Sequence, residues 1–110
     1  MQNSETRPIT LLFDLETTPL SQEEVELHCL VTLDYETGET TRYNDTGTAE
    51  PISRGVTYLM DADTIIGHNI IGFDIPMIKK VYPFFEPKGR VIDTLLCLLY
   101  TSDAADDGYR

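Results

Sequence analysis

Tryptophan is absent, cysteine occurs twice, and eight Lys and Arg stand against nineteen Asp and Glu in the 110 residues. The resulting net charge of -11 excludes a chain that grips nucleic acid through a generic basic surface, because such binding depends on cations that neutralise phosphates. Any phosphate contact must be local. Cys29 and Cys97 lack the short C-x-x-C spacing of zinc sites and redox pairs and fit a reducing compartment. No stretch approaches the ~20 apolar residues of a membrane span, and the opening MQNSETRP has no apolar centre of signal-peptide length. These absences predict a soluble, cytoplasmic chain without membrane contact. What is present is 41% hydrophobic residues with six Tyr and four Phe, enough apolar side chain to argue against wholesale disorder. The length allows one domain or a piece of one.

The boundaries divide the chain into a polar leader (1–8), a globular portion (9–96) and a tail (97–110). From Cys97 the sequence reads CLLYTSDAADDGYR. CLLYTSDAADD resembles the translation of a transposase-adapter end used in preparing sequencing libraries, so the tail reads as an artificial addition. The rival reading is a genuine acidic tail. Without Asp103, Asp106, Asp107 and Arg110 the charge balance stays acidic. On the adapter reading the globular portion is C-terminally truncated after Leu96.

Ile9 to Glu16 is a short apolar run ending in acids and closed by Thr17-Thr18-Pro19, which predicts a buried strand. Val25 to Leu33 shows partial alternation, Asp34 to Glu39 carries turn chemistry and Thr40 to Tyr43 resumes, together predicting a hairpin. Residues 49–60 place Ile52, Val56, Leu59 and Met60 on one helical stripe, with Thr48 as candidate cap and Pro51 in the first turn. A second short strand over Thr64 to Asn69 and a helix over Phe73 to Val81 follow, then Val91-Ile92 leads to Asp93-Thr94 as a strand-to-helix junction. The order predicts an α/β fold with a mixed sheet and flanking helices.

Side chains at i and i+2 of a strand share a face, so Asp14 and Glu16 converge. Two carboxylates beside a buried strand repel one another, and an all-oxygen donor set suits a hard ion such as Mg²⁺ or Mn²⁺. Taken alone, the pair reads as two solvated acids at a strand end. Asp74 adds a third carboxylate where a strand end meets a helix start, the usual ligand position in open α/β sheets. Its bland reading is a helix-terminal acid favoured by the dipole.

Phe13-Asp14-Leu15-Glu16-Thr17-Thr18 resembles the first motif of the DnaQ-like, or DEDD, 3'-to-5' exonucleases, and His68-Asn69-Ile70-Ile71-Gly72-Phe73-Asp74 resembles the second. Asp93-Thr94-Leu95 matches a segment that often follows it in that family. The order of elements is similar to the proofreading domain of phage family A DNA polymerases, over roughly residues 9–96. The resemblance implies an RNase H-like fold, in which four carboxylates hold two divalent ions, Mg²⁺ or Mn²⁺. Asp14, Glu16 and Asp74 match three of the four. The third motif, a Tyr or His shortly before the last Asp, has no counterpart before Leu96.

By the same resemblance, Thr17 and Asn69 match positions that contact the terminal nucleotide or its phosphate, and Phe73 is a candidate substrate contact, with core packing as its favoured alternative. His68 reads equally as a polar strand-end residue or a substrate contact. His28 reads as structural, Asp93 as a helix cap rather than a metal ligand and Cys29 as a small buried hydrophobe. The implied partners are a single-stranded DNA 3' end and a polymerase domain in cis that is missing from this chain. The expected function is a fragment of a proofreading exonuclease, inactive as truncated. The alternatives are a stand-alone DNase or RNase of the same family, or a non-catalytic acidic interaction module.

Overall fold

The computed structural model describes residues 7–19, 25–47 and 49–99. Five strands form one mixed sheet: β1 (Thr10–Pro19), β2 (Val25–Asp34), β3 (Thr40–Tyr43), β4 (Thr64–Gly67) and β5 (Arg90–Asp93), in the order β3-β2-β1-β4-β5. β1 pairs antiparallel with β2 and parallel with β4, β2 pairs antiparallel with β3, and β4 pairs parallel with β5. This is the α/β architecture of an RNase H-like fold. Helix α1 (Ile52–Asp61) joins β3 to β4, and a π-helical turn (Ile70–Asp74) running into α2 (Ile75–Val81) joins β4 to β5. Residues 94–99 are helical and their side chains from Leu96 to Leu99 are exposed, while residues 100–110 lie outside the described residues.

The core follows from alternation along β1. Leu11, Phe13 and Leu15 are buried, whereas Asp14 and Glu16 are exposed. The buried set meets Leu30, Tyr43 and Ile65 from neighbouring strands and Ile52, Val56 and Leu59 from α1. Each large side chain so buried contributes about 1.5–3 kcal/mol. Among the described residues no helix is long and apolar enough to cross a membrane.

Several boundaries differ from those expected. β1 does not close at Glu16 but pairs with β2 as far as Pro19. α1 starts at Ile52 rather than Ala49, because Pro51 stands at its N-cap with an extended backbone. The Ile52 amide donates to Asp45 Oδ1 at 2.9 Å, so the first turn is capped from the preceding loop. Thr48, the expected cap, lies outside the described residues. β4 ends at Gly67 instead of Asn69, and the helix expected from Phe73 is preceded by the π-helical turn.

β5 is brought against the α1–β4 connection by close backbone approach. The Arg90 amide donates to the Asp63 carbonyl at 2.9 Å and that of Lys88 to the Met60 carbonyl at 3.0 Å. A Cβ at Gly89 would collide with the Asp63 carbonyl oxygen and stand 2.5 Å from that of Ala62. Neither can swing away as a flexible side chain would. Gly89→Ala is therefore expected to destabilise the fold by about 1–3 kcal/mol, read as a lower urea midpoint at unchanged slope.

Candidate active site

The site is built where β1 outruns its parallel neighbour. The last β1–β4 rung pairs Leu12 with Ile66, yet β1 continues to Pro19. Beyond that rung the π-helical turn delivers Asp74 to the Leu15 backbone, whose amide favours the charged carboxylate. Asp74 thus lies beside β1 beyond the end of its pairing with β4. It sits at the N-cap of α2 but makes no capping bond there. The helix-terminal position expected for Asp74 is the one it holds, and the Leu15 backbone acts on the same carboxyl.

Asp74 is 5% exposed. Burial, then the charge of Asp14, and more weakly that of Asp93, raise its pKa to about 6, against which the Leu15 amide works. The first and second motifs are therefore in electrostatic contact. Glu16 lies on the Asp14 side of β1. Among the described residues no three His, Cys, Asp or Glu side chains are gathered closely enough to form a metal cage.

Asp93 holds the second motif in place. Its Oδ1 accepts from the amides of Asn69 at 2.8 Å and Leu95 at 2.9 Å, and its Oδ2 from Ile71 at 2.9 Å. The Leu95 bond is the helix cap expected for residues 94–99; the other two pin the turn that leads to Asp74. This turn needs pinning, since Asn69 is left-handed at φ 59°, a conformation that costs most residues energy and Asn less than others. Burial alone would push the Asp93 carboxyl up, but the amides of Ile71, Asn69, Leu95 and Leu96 together hold it below the usual carboxylate range. His68 Nδ1 lies 3.0 Å from Thr94 Oγ1, which itself donates to the Gly67 carbonyl at 3.3 Å, adding a second tie between these strand ends.

Phe73 is 40% exposed beside Asp74, so the packing role favoured for it does not hold; the π-helical turn buries Ile70 and Asp74 and turns Phe73 outward. Asn69 is exposed and Thr17 half-buried. His28 is also corrected. Glu16 pairs with Cys29 and Thr17 with Leu27, so His28 is the extra residue of a β-bulge. The bulge explains why Leu27 and Leu30, three apart, both face the core, and that broken phase was the signal in the sequence. His28 instead faces outward and, with Arg42, borders a cavity of about 380 Å³ against Asp14 and Glu16. Arg42 was not singled out from the sequence, because an isolated Arg in a short strand carries no motif.

No family model matches the chain, and no curated protein matches it. Among solved structures the chain is similar to the family B DNA polymerase from the hyperthermophilic archaeon Pyrobaculum calidifontis, with a TM-score of 0.59 and 21% identity. The match covers 81% of this chain and 16% of that polymerase. The shared feature is the fold.

The raised Asp74 pKa has a direct consequence for stability. Between its unfolded value near 3.8 and its folded value of about 6, the folded state binds more protons than the unfolded one, so stability falls as pH rises through this window. The loss is about 3 kcal/mol. Urea titrations from pH 4 to 7 should show this decline in the wild type and a nearly flat profile in Asp74→Asn. For Asp93 the sign is opposite: its contribution is present above pH 4 and lost in stronger acid. Asp93→Ala is expected to cost about 1–3 kcal/mol at pH 7, seen in the same titration.

Proposed function

We propose that residues 9–96 form the front part of a metal-dependent 3'-to-5' exonuclease domain of the proofreading type, acting on the 3' end of single-stranded DNA. What carries this reading is the placement of Asp14 and Glu16 on the outward face of β1 together with the buried Asp74, whose carboxyl is pushed up to about 6 by burial and the charge of Asp14. Two carboxylates whose charges oppose each other, with one pushed to about 6, make a place that a divalent cation would relieve. An all-oxygen donor set fits Mg²⁺ or Mn²⁺. Mg²⁺ in particular is held by one or two carboxylates together with waters and substrate phosphates, so a closed protein cage is not required. Asp14, Glu16 and Asp74 are the residues that would hold it.

When bound, such ions supply Lewis acidity at the attacking water and at the leaving oxygen. The chain's own residues orient the strand. Exposed Asn69 and half-buried Thr17 are assigned to the terminal nucleotide, and the outward ring of Phe73 offers a face on which a base stacks. Asp93 keeps the second motif in register. The partner in this reading is a polymerase domain in cis, of the phage family A kind that the motifs resemble, whereas the solved structure that shares the fold is a family B polymerase. This reading puts the chain in the cytoplasm, where Cys29 and Cys97 stay free thiols.

Mn²⁺ titration followed by calorimetry and thermal melting tests the proposal. Saturable binding should raise the melting temperature of the wild type, by the equivalent of about 2.7 kcal/mol at a hundredfold excess over Kd. Asp14→Ala and Asp74→Asn should abolish the effect. Equal stabilisation of wild type and Asp14→Ala would sink the reading. With three of the four carboxylates that the resemblance calls for, the 110-residue chain is expected to leave a labelled single strand intact in Mg²⁺.

A further inference from the structure

The cavity beside the acids has a second wall that the exonuclease reading does not use. Asp14 and Glu16 border one side, and His28, Arg42, Asn44 and Thr46 border the other. Arg42 is the cavity's one Lys or Arg, in a chain with eight such residues against nineteen acids. Arg42, Val31 and Asp14 lie on a single rung across β3, β2 and β1. Arg42 and Asp14 therefore share a sheet face with their backbones two strand spacings, about 10 Å, apart. Among the described residues Arg42 makes no ion pair. Arg42 is exposed and borders the same cavity as the two acids, with Val31 between it and Asp14 on the rung, and the bulge brings His28 to the same opening.

We propose that this cavity binds a phosphate of the single-stranded DNA, with the Arg42 guanidinium as the anion contact; the assignment rests on the exonuclease reading above. A phosphodiester approaching Asp14 and Glu16 meets two like charges, and a cation on the same face offsets that repulsion. Arg is the residue suited to it, because its planar fork donates two N–H groups to one phosphate and fixes the strand's direction. Asn44 and Thr46 add neutral polar groups at the rim. Arg42 thus binds the substrate locally while the rest of the surface stays acidic.

The test uses the 110-residue chain with a short fluorescein-labelled oligo(dT) and Ca²⁺ as the divalent cation, binding being read by anisotropy. Arg42→Gln should weaken Ca²⁺-dependent binding about ten-fold and flatten the slope of log K against log salt by about 0.7. Arg42→Lys should keep the slope while losing part of the affinity. Arg54→Gln removes an exposed cation paired with Glu50 on another part of the surface and should change neither. Arg42→Met, which keeps the aliphatic stem, serves as the second variant if Arg42→Gln does not fold.

Unchanged affinity and slope in both Arg42 variants, with Ca²⁺-dependent binding still abolished by Asp14→Ala, would overturn the Arg42 assignment and leave the exonuclease reading standing. Equal weakening by Arg54→Gln would overturn it as well, since the effect would then be one of net charge. Absence of Ca²⁺-dependent binding in the wild type would overturn both.

Discussion

β1 lies in the middle of the sheet, and two of its properties govern the rest of the molecule. Its alternation sends Leu11, Phe13 and Leu15 into the core while Asp14 and Glu16 face outward. Its length exceeds that of β4, so the pairing with β4 stops at Leu12 and leaves the Leu15 amide for another acceptor. A buried amide without a partner costs about 1–3 kcal/mol. Asp74 lies beside the Leu15 amide, which brings the second motif to the first strand.

Two buried aspartates, Asp74 at the end of the π-helical turn and Asp93 at the end of β5, show how environment sets a carboxylate's charge. Asp93 accepts amides from Asn69, Ile71 and Leu95, and these outweigh its desolvation. Asp74 accepts from Leu15 but faces the charge of Asp14, and burial prevails. The first is a brace whose charge is satisfied by protein dipoles. The second is left with its desolvation and the Asp14 charge uncompensated, the environment that the proposed cation would relieve.

Much of this was legible in the sequence. The β1 run, the hairpin over β2 and β3, and the apolar stripe of α1 follow from period and turn chemistry, and the α/β order gives the mixed sheet. The Asp14 and Glu16 face follows from a period of two. What escaped were features set by partners rather than by local pattern. The π-helical turn exists because Asp93, about twenty residues downstream, supplies acceptors for the amides of Asn69 and Ile71. The cap of α1 comes from Asp45 across a loop. Phe73 sits at helical spacing from Met77, but the wider π turn rotates it out of the apolar side. The His28 bulge left a trace, the broken phase of Leu27 and Leu30, that reads as mere irregularity until the strand is paired. Arg42 becomes meaningful only when β3 is set two strands from β1.

The central claim is that Asp14 and Asp74 make one cation site out of two sequence-distant motifs. Paramagnetic broadening of the amide NMR spectrum by substoichiometric Mn²⁺ tests it most directly, because the effect falls steeply with distance from the ion. The expected result is selective loss of the Asp14, Leu15, Glu16 and Asp74 amides while the acidic turn from Asp34 to Glu39 stays sharp. Broadening centred on that turn, or spread evenly over the acidic surface, would contradict the claim.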